Sequence, residues 1–151
     1  MLLATHALTG AIIGKNIASS WLVIIFSLIL HYVLDIFRHG EYLNRNSRWI
    51  EFWKVLADLA VGSSILALVI YFLNPPAAVT KNMLIGALFS MFPDFFSLMY
   101  FKFNVGFLKK LFDFHVWIHR YPPLSPEREW NLRNAFNDII VSITAIILLI
   151  V

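Results

Sequence analysis

A chain of 151 residues suits one domain, but 60% of it is hydrophobic and only 14% charged, so it has more apolar surface than a globule of this size can bury. That excess, with a mean hydropathy of +0.74, argues for lipid as the solvent. The absence of cysteine excludes disulfides and thiolate metal sites, and the net charge of +3 raises nucleic acid as a partner only until the charges are placed.

Spanning a bilayer takes about 17–25 apolar residues as helix. The first predicted helix runs from Leu2 to Ala18, with Lys15 near its end; its start lacks a basic region and a cleavage site, so it reads as a retained helix. The second runs from Trp21 to Phe37 and stops at Arg38-His39-Gly40. The third runs from Trp49 to Leu73 and stops at Asn74-Pro75-Pro76, and the fourth from Lys81 to Phe101. Lys102 to Arg133 holds a shorter amphipathic helix and a proline-rich loop. The fifth membrane helix then runs to Val151, its start signalled by Ser125 as N-cap, Pro126 at the first helical position and Glu127 and Glu129 in the first turn. The expected architecture is one all-α domain over 1–151, an integral membrane bundle of about five spanning helices with one amphipathic helix at the interface.

The loops after the second and fourth helices carry ten of the twelve Lys and Arg residues, leaving Lys15 and Lys81 for the other side. Cytoplasmic loops carry that excess. The N-terminus is therefore expected inside and the C-terminus outside, with lipid phosphate rather than nucleic acid as the partner of the positive charge.

Ionisable groups at membrane depth mark function. In this topology His6, His31, Asp35, His39, Asp58, Asp94, His115, His119 and Asp138 all fall toward the cytoplasmic ends of their helices. His31 and Asp35 are four residues apart and share a helix face, as do His115 and His119 on the amphipathic helix. Imidazole and carboxylate in this arrangement suit zinc, with iron and manganese as competitors. Each residue also has a structural reading. His6 suits a cap, His31 with Asp35 a hydrogen-bonded helix contact, and the His115/His119 helix an interfacial position. Asp58 beside Gly62, and Asp138 in line with Asn131, Asn134 and Ser142, suit interhelical hydrogen bonds. His39 sits at a loop edge.

Thr5-His6 before a glycine-spaced helix, Ser27 with His31-x-x-x-Asp35, Pro93-Asp94 closing an apolar helix, and the His115/His119 pair together resemble the YdjM-like family of inner-membrane metal-dependent hydrolases. More distantly they are similar to the zinc-dependent phospholipase C and P1-nuclease group. The chain departs from the family pattern after Asp94, which is followed by Phe95 and Phe96, so that the pattern's second acid is missing. The resemblance implies a bacterial inner-membrane protein with His and Asp metal ligands. Joined to the residue reading, it gives a hydrolase of a lipid-linked phosphoester at the cytoplasmic leaflet. His6, His31, Asp35, Asp94, His115 and His119 are the expected ligands, enough for two ions. Asp58 or Asp138 would orient a ligand or accept a proton, and Arg38 and Arg120 would hold phosphate. The competing reading is a non-enzymatic protein that moves metal ions or protons.

Overall fold

The computed structural model describes residues 1–151 as six α-helices: α1 (Leu3–Asn16), α2 (Ser20–Asp35), α3 (Trp53–Leu73), α4 (Ala77–Phe103), α5 (Lys109–Ile118) and α6 (Leu132–Ile150). A 3-10 turn, Trp49–Phe52, extends α3 at its start. Three helices, not five, are long and apolar enough to cross a membrane: Trp49–Leu73, α4 and α6. The first two expected spans are shortened. α1 has 14 residues and α2 has 16, about 21 and 24 Å at 1.5 Å per residue, against a hydrocarbon layer of about 30 Å. They form a short hairpin in which α1 is enclosed by the other helices, while α2 packs one face on α4 and α1 and leaves Trp21, Ile25 and Ile29 exposed.

α1 is the central helix, packed on α4, α6, α3 and α2 in turn. Its turn into α2 is tied to the start of α4, where the Asn82 side chain donates to the carbonyls of Ile17 and Ala18, both at 2.9 Å. Lys15 donates to the Leu149 carbonyl at the far end of α6 (2.9 Å). A cation there meets the unsatisfied carbonyls of a helix C-terminus. α1 can approach α4 closely because glycines face each other: a Cβ on Gly10 would overlap the Gly86 carbonyl, and one on Gly14 would overlap the backbone of Asn82. Small residues that admit such backbone contact are what hold membrane helices together.

The polarity of the molecule is inverted relative to a soluble protein. Leu68, Phe72, Ile143 and Ile147 stand more than half exposed, while Thr5, His6, Ser27, His31, Asp35 and Ser90 are fully buried. An exterior of that kind suits contact with lipid, in keeping with three helices long and apolar enough to cross a membrane. The half of the interior away from these polar residues is apolar, with Leu8, Ala11, Leu66, Met83, Ala145 and Leu149 in one cluster.

The helix ends show where local chemistry overrode the expected boundaries. α3 and α4 each finish on an asparagine in the left-handed conformation, Asn74 (φ 43°) and Asn104 (φ 55°). α4 begins at Ala77, directly after Pro76, rather than at Lys81. Ser125 does not open the last helix: Pro126–Arg128 is a separate 3-10 turn, and α6 starts at Leu132. Its N-cap is Asn131, which accepts from the Asn134 amide at 2.9 Å, while buried Asn134 ties back to the Pro126 and Glu129 carbonyls. Asn131→Ala should therefore lower stability by about 1 kcal/mol, read from the thermal midpoint in detergent, and Ser125→Ala by much less. α5 ends at Ile118, so His119 is its extended C-cap and not part of the helix as expected from the sequence.

Candidate metal centre

The end of the bundle that holds the N-terminus of α1 and the C-terminus of α2 collects the ionisable residues. Asp35, the last residue of α2, is 1% exposed, and all five histidines of the chain bring Nε2 to its carboxylate. His115 lies at 2.9 Å, His31 at 3.1 Å, His6 at 3.2 Å, His119 at 3.6 Å and His39 at 3.9 Å. These come from α1, α2, the segment after α2, α5 and the end of α5. Asp94, from α4, closes one side, its two oxygens 3.7 Å from His115 and 3.8 Å from His6. The amino group of Met1 pairs with Asp35 as well.

The imidazoles are held from behind. His31 donates Nδ1–H to the Ser90 carbonyl at 2.7 Å, and His39 donates Nδ1–H to the Phe37 carbonyl at 2.8 Å. In the neutral ring each therefore presents a bare Nε2. Ser97 Oγ and His115 Nδ1 share a hydrogen bond of 2.7 Å, and His6 stacks on His31 with ring centroids 4.1 Å apart. Beyond the helices, burial pushes the His119 imidazole down to about 4 and that of His39 well below its ordinary value, so both are neutral at pH 7.

The bare Nε2 of His31 faces the Asp35 carboxylate at 3.1 Å and that of His39 at 3.9 Å, lone pair toward lone pair unless a cation lies between, whereas His6 and His115 can donate Nε2–H to the same carboxylate at 3.2 and 2.9 Å. One proton per histidine would place several like charges against one another. A single divalent ion serves several donors at once. The spacing suits it: His31 Nε2, His115 Nε2 and Asp35 Oδ2 form a triangle with sides of 2.9, 3.1 and 3.3 Å. Donors about 2.0–2.1 Å from a tetrahedral ion lie about 3.3 Å from each other. Two groups have their donor atoms within 4.8 Å of one another, His31/Asp35/Asp94/His115 and Asp35/His39/His119, and they share Asp35. Second-sphere contacts such as the Ser90 carbonyl fix tautomer and ring orientation in this kind of site.

All six residues expected as ligands from the sequence meet here. His6 joins through Asp35 and Asp94, with its Nδ1 left without a partner. His39, read as a loop-edge residue, is buried and belongs to the second group. The sequence signal for it was the third step of the four-residue series His31, Asp35, His39. Asp58 and Asp138 lie around the first turn of α1: Asp58 accepts from the Leu3 amide and the Tyr42 hydroxyl, both at 2.7 Å, and Asp138 from the Leu2 amide at 2.7 Å. Carboxylates at a helix N-terminus meet its exposed amides and its dipole. Their hydrogen bonds reach His6 only through the helix that carries it. Arg38 and Arg120 both lie over the Tyr121 ring, at 5.7 and 5.8 Å, and Arg38 is 3.9 Å from Glu127. The buried cation of this loop region is Arg128, which the sequence reading did not single out; it pairs with Glu41 and donates to the Tyr121 carbonyl.

Comparison of the chain with protein-family models, with curated proteins and with solved structures gave no match.

Proposed function

We propose that the protein is a membrane-embedded metal-dependent hydrolase, acting on a lipid-linked phosphoester at the cytoplasmic leaflet. The observation that carries the reading is the convergence of five histidines from separate segments on Asp35, in a donor set that suits zinc, manganese or iron. The resemblance to the YdjM-like inner-membrane hydrolases points the same way. His31, His115, Asp35 and Asp94 would hold one ion, and Asp35, His39 and His119 a second, with His6 completing the first. When bound, the metal supplies the Lewis acidity that makes water a nucleophile at neutral pH.

The chain's own residues fill the remaining roles. Asp94, with its side chain 28% exposed, is the open edge of the cluster and the carboxylate best placed to accept a proton from water. Arg38 and Arg120, on the loops beside His39 and His119, would meet the phosphate. Asp58 and Asp138 position His6 by fixing the first turn of α1. The inner cluster of Leu8, Leu66, Met83 and Leu149 seals the other half of the bundle, which supports hydrolysis over ion transport.

Protein reconstituted in vesicles tests the choice. Turnover of a phosphoester lipid, lost on chelation and restored by zinc or manganese, is the expected result. Protein-dependent flux of protons or divalent ions without turnover would replace the hydrolase reading with the transport one.

A further inference from the structure

α3 and α4 are consecutive helices joined by the Asn74–Pro76 turn, yet they scarcely touch, because α1 lies beneath both. A lateral groove of about 540 Å³ runs between them, within the size range of about 300–1,000 Å³ usual for small-molecule sites. Its cause is in the sequence. α3 meets α1 at Gly62, where an added Cβ would come within 2.9 Å of Ala4. Ser63 beside it, Ala67 a turn beyond Ser63 and the floor residue Ala7 are too small to fill the space, while Leu84 and Leu88 stand half exposed on the facing wall.

Both walls belong to helices long and apolar enough to span a membrane, and twelve of the fifteen lining residues are hydrophobic. Hydrocarbon fills such a space at no cost in unsatisfied polar groups. The groove is also directed. At its inner end lie Leu3 and Ala4, just before His6, together with Leu59, next to Asp58, and Met91 on α4. Asp94, the open edge of the metal cluster, follows Met91 by three residues and so continues the same face of α4.

We infer that the groove holds one acyl chain of a membrane phospholipid and places its phosphate at the Asp94 edge of the histidine cluster. The inference rests on the hydrolase reading of that cluster and adds the recognition element for the lipid. The basic loops on that side of the membrane draw anionic headgroups to the same level. An acyl chain in the groove would fix the depth of the phosphate, so chain occupancy and not headgroup contact alone would select lipid over soluble phosphoesters.

The test uses the full-length protein in vesicles containing phosphatidylglycerol with a diazirine in mid-chain. Illumination followed by mass spectrometry of the peptides locates the chain. Label concentrated on the groove walls around Ser63, Ala67, Leu84 and Leu88 is expected. Ser63→Phe and Ala67→Phe, both at exposed positions away from the cluster, should reduce it several-fold while bound metal stays at the parent level. Label spread evenly over the outer faces of α3, α4 and α6, unchanged in the two variants, would overturn the inference. So would cross-links between two copies of the chain at these residues, which would make the groove a subunit contact. Groove labelling in a protein that holds no metal and turns over no phosphoester would retain the lipid site and remove the hydrolase. Metal-dependent turnover without groove labelling would do the reverse.

Discussion

Asp35→Ala should abolish the stabilisation that divalent metal confers on the protein. For the parent, zinc at about 100 times its dissociation constant adds about 2.7 kcal/mol, because an ion bound only by the folded state contributes its binding energy to folding. In a chain of this length that corresponds to a rise of about 5–10 °C in the thermal midpoint. Asp35 is the one residue common to both donor groups, so its removal should leave a shift near zero. The comparison must be made within each variant, with and without metal. Loss of Asp35 also leaves the buried Met1 amino group without its carboxylate, which lowers the metal-free stability on its own. His39→Ala touches only the second group and should keep most of the metal-induced shift. A full shift in Asp35→Ala would mean that the metal binds elsewhere.

Gly10→Ala should be strongly damaging to the α1–α4 contact, as should Gly14→Ala and Gly86→Ala, whose added Cβ atoms would also overlap backbone. In Gly10→Ala the new Cβ would lie over the Gly86 carbonyl and 2.7 Å from the Ser90 Cβ. Backbone cannot yield as a flexible side chain does, so α1 and α4 would have to separate. Overpacking of this kind costs about 1–3 kcal/mol. The separation would also move His6 away from Asp94 and displace the Ser90 carbonyl that holds His31 Nδ1. Lower thermal stability and weaker metal binding should therefore appear together. Gly106→Ala is the control, since a Cβ there meets nothing within 4 Å. Equal melting temperatures for the two variants would refute the close α1–α4 contact.

The level of the ionisable residues was legible in the sequence because the hydropathy of each helix and the bias of Lys and Arg place them on a common axis. The four-residue spacings gave His31 with Asp35, and His115 on the inward side of α5. The lengths of α1 and α2 were not legible. A window of 17 apolar residues looks the same whether it crosses lipid or packs as a shorter helix among neighbours, and only the contacts of Asn82 and Lys15 decide it. The start of α6 was misplaced for a related reason. Ser125-Pro126 has the local chemistry of a helix start and does nucleate a turn, but Asn131 and Asn134 supply the cap that continues. The end of α5 follows from Tyr121-Pro122, since a residue before proline avoids the helical region. His119 reaches Asp35 from an extended backbone, a position no helical spacing rule encodes. Asp58 and Asp138 resembled site residues because they share the depth of the histidines. Their partners are backbone amides of α1, which periodicity cannot reveal.

The metal content of protein purified in detergent without added chelator, and then supplied with zinc, tests the centre most directly. The histidine cluster predicts one to two ions per chain in the parent, given two donor groups that share one carboxylate. It predicts strong loss in Asp35→Ala, His31→Ala and His115→Ala, and partial loss in His119→Ala. Asp35 and His115 come from different helices and meet at 2.9 Å, so no shared ion can be indifferent to both. Full metal content in both Asp35→Ala and His115→Ala, or no metal in the parent at any zinc concentration, would contradict it and return the five histidines to a structural network.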